Sequence, residues 1–496
     1  MMRGPVRMSI IAISTVLVLF TMQIGVSAKK KTSKKRHRTA RSIPVVVTPP
    51  VISPVVADDV FVSTAAAPTR TATAEPARSG GMRIESVGGD SGSGGKRTRG
   101  RITTGPAIPS VSLAGTLLIS EFRVRGPNGA NDEFIEIYNN SGADHTVTSI
   151  SGTGYAIAAS DGVVRCSIFN GTVIPAGGHF LCVNAVAFSL GTYPAGTGTV
   201  GTGDNFYGVD IPDQSGIALF NNNTGGGSFI LANRFDAVGP TGEANTLYRE
   251  GAGLPALTPF NIDYSWTRDE CGKGGAVNLL GVCSISTPKD IDDNSADFYF
   301  VDTNGTSAGG GQRLGAPGPQ SISSPIQRNS TVAAALLDAT VVSSAAPNRV
   351  RDFTSVPANN STFGTLSIRR RFVNNTGGNV TRLRFRIIDL DTFPAAAGFA
   401  DLRPITSSSV VVAGINDSAT CTAAGQATPC SVTVQGTTLE QAPSQPNGGG
   451  FNTSLSAGTI TLGTPLANGA SVDVQFLLGI QQTGNFRIYV NIEALP

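Results

Sequence analysis

The sequence predicts an all-β protein, two antiparallel β-sandwiches in series preceded by a disordered tail. Three observations carry the prediction. Gly accounts for 60 of 496 residues and is accompanied by many Thr, Ser, Asn and Val, the composition of short strands joined by turns. Short apolar or alternating runs are separated by Gly, Asn, Asp and Pro, and no long segment repeats apolar residues at the i, i+3, i+4 and i+7 spacing of an amphipathic helix. The length suits two or three domains, and six cysteines (Cys166, Cys182, Cys271, Cys283, Cys421 and Cys430) fall in three close couples.

The N-terminus reads as an export signal. Arg3 and Arg7 precede an apolar run from Met8 to Val26, and Val26-Ser27-Ala28 forms a small-residue site before a lysine cluster. That order predicts a secretory signal over residues 1–28, cleaved after Ala28. The run is close to the ~20 residues that span a bilayer, so an uncleaved anchor is the alternative. No other segment is apolar for long enough to cross. The expected location is therefore outside the cytoplasm: secreted, periplasmic or at the cell surface. Disulfides persist there, and local pairing predicts Cys166–Cys182, Cys271–Cys283 and Cys421–Cys430, one of about 15 connectivities open to six cysteines. Zinc is disfavoured, because CxxC spacing is absent and the chain holds three histidines.

Residues 29–111 are low-complexity, from "KKKTSKKRHRTAR" through Pro- and Ala/Thr-rich stretches to "SGGMRIESVGGDSGSGGKRTRGR", and hold too little apolar surface to fold. From Lys29 to Arg101 the chain carries fifteen Lys/Arg against five Asp/Glu, whereas Ile102 to Pro496 carries twenty against twenty-nine. A basic, disordered linker thus precedes a mildly acidic body. Such a tail reaches anionic polymers through salt-sensitive contacts or serves as a solvated spacer, and composition favours the spacer.

Residues 112–320 form the first folded unit. "TLLISEF", "EFIEIYN", "GYAIAAS", "VVRCSIF", "HFLCVNA", "GIALFNN" and "SFILANRFDAV" read as strands broken by turn residues, the pattern of an antiparallel sandwich. A loop-like stretch from Ser265 leads to a close near "LGAPGP".

The order Ile119-Ser120-Glu121, then Glu133-Phe134-Ile135-Glu136-Ile137-Tyr138-Asn139, then "VIPAGGHFLCV", "SGIALFNN", "NTLYR" and the closing Pro317-Gly318 resembles the lamin-tail domain of bacterial exported proteins, over about residues 117–319. The resemblance implies an immunoglobulin-like β-sandwich used for binding or scaffolding, in some relatives attached to hydrolases. It also implies that Glu121 and Glu136 belong to the framework of the first two strands. Asn205 to Leu257 is longer and richer in Gly than a compact example, and a cysteine-bearing insert follows Trp266.

Residues 321–359 are Ser/Ala/Pro-rich and read as a linker, with "TVAAALLDATVV" a first strand or short helix. Residues 360–496 read as a second sandwich that resembles no family. "FGTLSIRRRFVNNTGGNVTRLRFRIIDL" is expected as a hairpin in which Leu383, Phe385 and Ile387 face one side and Arg382, Arg384 and Arg386 the other. "CSVTVQG", "GTITLG", "SVDVQFLLGI" and "NFRIYVNIEAL" add alternating strands.

Candidate chemistry is sparse. Glu121 and Glu136 are a carboxylate pair in a β context. A glycosidase would need them across a cleft at a defined separation, whereas the framework reading needs only hydrogen-bond donors, and nothing else in the chain completes a catalytic set. His37 lies in the tail, His145 and His179 stand alone, and HExxH and P-loop motifs are absent. No catalytic residue and no cofactor is therefore expected. Asp290, Asp292, Asp293, Asp297 and Asp302 supply oxygens of the kind calcium takes, without the glycine and closing glutamate of an EF-hand; a hydrogen-bonding turn is the competing reading. Arg382, Arg384 and Arg386, with Arg369, Arg370 and Arg371 nearby, form a candidate anion-binding stripe, against a solvated outer face. No aromatics interleave there, so an acidic glycan suits the stripe better than nucleic acid. Tyr264 and Trp266 are an exposed sugar-stacking pair or, as sandwich geometry favours, core.

The expectation is a non-enzymatic binding, scaffolding or adhesion protein of the cell envelope or extracellular space, with an envelope polymer, glycan or protein as partner. A carboxylate-dependent hydrolase of an extracellular polymer, or a spacer attached by its basic tail, are the alternatives.

Overall fold

A computed structural model of the chain describes residues 113–190, 201–255, 262–270, 289–305, 312–326, 332–440 and 446–495. The signal, the basic tail and the Cys271–Cys283 couple lie outside the described residues. What is described is all-β, with two short helices and no helix long and apolar enough to cross a membrane.

The first sandwich begins with β1 (Leu117–Arg123), β2 (Phe134–Asn139), β3 (His145–Thr146), β4 (Gly154–Ala159), β5 (Val164–Phe169), β6 (Val173–Ile174) and β7 (His179–Asn184). It continues through β8 (Asn205–Tyr207), β9 (Ile217–Phe220), β10 (Arg234–Val238), β11 (Tyr264–Arg268), the helical turn α1 (Asn294–Asp297), β12 (Phe298–Asp302) and β13 (Arg313–Leu314). A seven-stranded sheet in the order β13-β12-β11-β1-β2-β7-β8 covers a four-stranded sheet β10-β9-β4-β5. Alternation sends Ile119, Phe122, Ile135, Ile137, Ile157, Ile168 and Leu219 into the space between them, because successive strand side chains point to opposite faces. Tyr264 and Trp266 are core, packed against Phe300, as an apolar ring in a sandwich requires. Cys166 on β5 and Cys182 on β7 form a disulfide that ties one sheet to the other.

The second sandwich comprises β14 (Val332–Leu336), β15 (Arg349–Asp352), β16 (Thr365–Asn374), β17 (Arg382–Leu390), β18 (Asp401–Ile405) and β19 (Val410–Ile415). Then come α2 (Ser418–Ala423), β20 (Cys430–Val434), β21 (Thr438–Leu439), β22 (Ser454–Ser456), β23 (Ser471–Gln482) and β24 (Ile488–Leu495). One sheet runs β14-β16-β23-β18, with β15 also on β16, and the other runs β21-β22-β17-β24. Phe372, Phe385 and Phe476 meet between them with ring centroids 4.6 to 6.1 Å apart. The Asp417 side chain caps α2 by accepting from Thr420 N–H, and the Cys421–Cys430 disulfide pins that helix to β20.

Four sequence expectations change. The stretch from Ser265, read as loop-like, supplies most of β11 and all of β12 to the seven-stranded sheet. β16 and β17 are not a hairpin: the Asn375–Thr381 turn crosses from one sheet to the other, and each strand makes its longest pairing with a strand 98 to 114 residues away, β23 or β24. The 321–359 linker is built into the sandwich, since β14 and β15 lie end to end along β16. "GTITLG" is a turn, and the strand beside β17 is β22, which ends just before it at Ser456.

Candidate functional site

Glu121 and Glu136 stand directly opposite one another on β1 and β2, turned away from the core. A bulge between Ile119 and Glu121 sends Ser120 to the same side, where its hydroxyl donates to Glu136 Oε1. Two like charges at this spacing repel, so the pair needs donors. They come from the strap that leaves the first sandwich: Gly318 N–H donates to Glu121 Oε1 at 2.9 Å, and Gln320 N–H to Glu136 Oε2 at 2.6 Å. The residues are 2% and 4% exposed.

The second sandwich closes over them. On β17, Leu383, Phe385 and Ile387 enter its own core, which leaves Arg384 and Arg386 on the opposite face, against the first sandwich. Arg384 is in register with Glu493 of β24 and pairs with its Oε2, while Arg386 Nε meets Glu493 Oε1 at 2.8 Å. Arg386 Nη1 donates to Asn452 Oδ1 at 2.7 Å, and Asn452 in turn donates to Ala316 of the strap. With its carbonyl turned to the guanidiniums, the Gln320 amide accepts from Arg386 Nη2 at 3.2 Å and from Arg384 Nη2, and donates to the His179 ring. Asn491 of β24 donates to Glu270. Tyr299, Val301 and Phe451 form an apolar patch that also joins the two sandwiches.

Burial sets the protonation here. Desolvation raises Glu121, and desolvation followed by the Glu121 charge raises Glu136 to about 8. Glu270 is pushed up to about 8 by burial. His179 is driven down to about 3, again by burial, so its approach to Glu136 at 3.7 Å is a contact of neutral groups at neutral pH rather than an ion pair. Glu493 alone goes the other way: burial opposes its charge, and Arg384 and Arg386 outweigh burial and hold it below the usual carboxylate range.

Between these groups remains a cavity of about 20 Å³, lined by Ser120, Glu121, Glu136, His179, Gln320 and Arg386 among others. That is room for one water molecule. Pockets that take organic ligands are ~300–1,000 Å³. A carboxylic acid and a carboxylate side by side could exchange a proton with that water, and a sugar ring does not fit.

The arginine stripe is corrected on the same grounds. Arg384 and Arg386 are neither an open anion site nor a solvated face, because the face opposite their own core is covered by the other sandwich. Arg382 alone of the three is partly exposed. Arg371 is committed to Asp473 and to the carbonyls of Ala419 and Thr420, Arg370 to the Asn348 carbonyl, and Arg369 to Gln475. His145 contacts the Tyr155 hydroxyl at 3.0 Å.

The aspartates do not converge. Asp293 caps α1 through Ser295 N–H, Asp297 Oδ2 accepts from Ile291 and Asp293 N–H, and Asp302 accepts from Asn304 and Gly305 N–H. Asp292 is exposed at a left-handed backbone position with φ 57°. Of the five, Asp290 is the one that joins other carboxylates, those of Asp236 and Glu250. Neither of these was selected by sequence reading, being about forty or more residues away from the loop; a buried-strand aspartate in "RFDAV" was the available signal. Glu493, Gln320, Glu270 and Asn452 were missed likewise.

Compared with family models, curated proteins and solved structures, the chain finds no match in any of the three.

Proposed function

We propose that this is an exported, non-enzymatic binding or scaffolding protein of the cell envelope or extracellular space. In this reading a lamin-tail-like sandwich and a second sandwich act as one body, and the basic tail positions it. One observation carries the proposal: the carboxylate pair best placed for acid and base chemistry is sealed under the second sandwich and used as its fastening. The resemblance of the first sandwich to a scaffolding family and the absence of histidine-based motifs support the same reading.

The test is binding of the mature chain to isolated cell envelopes at low and high salt, beside a chain beginning at Ser112. Saturable, salt-resistant binding by the shorter chain is expected. Binding only by the tailed chain, removed by salt, would make the tail the attachment and the sandwiches spacers. Hydrolysis of an envelope glycan that is lost in folded Glu121→Gln or Glu136→Gln would overturn the proposal.

A further inference from the structure

Arg268, fully buried on β11, is the hub of a second charged cluster on the first sandwich. Its Nη2 meets Asp236 Oδ2 at 2.6 Å, and its Nη1 lies 3.5 Å from both Asp290 Oδ1 and Asp297 Oδ2. Glu250 joins from the loop after β10 through Arg234, at 2.8 Å from Glu250 Oε1. One carboxylate oxygen from each of Asp236, Glu250 and Asp290 lies within 4.8 Å of the others. Acidic clusters of this kind are common, and two further observations separate this one from them. Glu250 is 6% exposed and its Oε2 has no hydrogen-bond partner; Asp297 is fully buried and its Oδ1 has none either. Buried carboxylate oxygens are ordinarily satisfied. Carboxyl groups also outnumber cations: Asp236, Glu250, Asp290 and Asp297 face Arg234 and Arg268, four against two.

We propose that Asp236, Glu250 and Asp290 bind a hard divalent cation of the calcium class. Glu250 Oε2 gains the partner it lacks, Asp290 completes the site from the solvent side, where its side chain is 21% exposed, and water fills the remaining positions. Oxygen-only donors and irregular geometry suit calcium better than magnesium, which demands a near-ideal octahedron. The cation fastens the loop carrying Glu250 and the segment carrying Asp290 to β10.

Calorimetric titration of the mature, metal-stripped chain with calcium chloride, and separately with magnesium chloride, tests this. One calcium per chain is expected, with a dissociation constant of roughly 0.1–1 mM, the range of extracellular modules, together with a raised melting temperature. Asp290→Asn, at a partly exposed position, is expected to weaken binding by at least about tenfold, as losing one charged ligand does. Asp292→Asn removes the same charge from an exposed neighbour and is expected to leave affinity within about twofold, since an exposed charge is screened. Glu250→Gln is expected to weaken binding as Asp290→Asn does, and near-ultraviolet dichroism reports whether each variant is folded. No saturable heat with calcium, or equal affinity in Asp290→Asn and Asp292→Asn, would overturn the proposal.

Discussion

Glu493 lies between Arg384 and Arg386 with one carboxylate oxygen on each, and all three side chains are nearly or fully buried. Removing it leaves two guanidiniums in a site that cannot rehydrate them. Glu493→Ala is therefore expected to cost about 3–5 kcal/mol in denaturant unfolding, the range for breaking a buried pair, against about 1 or less for an exposed one. The raised carboxylates give a second prediction, of pH dependence. Glu136 and Glu270 titrate near 8 when folded and near 4.5 otherwise, so between those values the folded chain holds more protons and stability falls as pH rises. His179, lowered to about 3, acts in the opposite sense only below its ordinary 6.5, which leaves the carboxyl trend alone above that. The melting temperature is expected to drop from pH 6.5 to about pH 9. Glu136→Gln should remove part of the drop, because a neutral amide stands in for the protonated acid; a melting temperature that rises over this window contradicts the assignment. At this scale the residue types were legible and their partners were not. Glu121 and Glu136 are read as framework from a local pattern, whereas Gln320 and Arg386 reach them from positions 184 or more residues further along the chain.

Among elements, alternation was the reliable guide. Leu383, Phe385 and Ile387 take the core side of β17 as the period of two requires. What covers the other side is a tertiary fact, and a lone sandwich would leave it to solvent. The signal was present in β24, where Asn491 and Glu493 alternate with Val490 and Ile492 as the arginines do in β17, so that opposite charges come into register. The false hairpin has a similar origin. "NNTGGN" is good turn chemistry, and a turn does not specify whether the chain re-enters its own sheet or the facing one. Cysteine spacing, by contrast, identified the Cys166–Cys182 and Cys421–Cys430 bridges because each joins elements close in sequence. The first spans 16 residues between facing sheets, so replacing both cysteines by alanine is expected to cost about 3 kcal/mol by loop entropy. An unchanged denaturation midpoint would show that sheet packing alone fixes their spacing.

At the level of the molecule, the seam turns two sandwiches into one body. The strap from Ala316 to Ile326 takes part in it throughout: Gly318 and Gln320 donate to the carboxylate pair, Ala316 accepts from Asn452, and Ile326 bridges to Ala494. A flexible insertion of four Gly/Ser residues between Ser321 and Ile326 is expected to divide one calorimetric transition into two, as uncoupled domains show. A single undivided transition in that variant would mean that the facing surfaces hold without the strap. The measurement that bears most directly on the account is denaturant unfolding followed by the fluorescence of Trp266, the chain's single tryptophan, in wild type and in Arg386→Ala. Trp266 reports the first core and Arg386 belongs to the second sandwich. A fastening seam predicts that the Trp266 transition moves to lower denaturant by the equivalent of about 3–5 kcal/mol, in step with far-ultraviolet dichroism. A Trp266 transition that stays in place while the second sandwich unfolds early would contradict it, and would return Glu121 and Glu136 to the list of residues without a structural task.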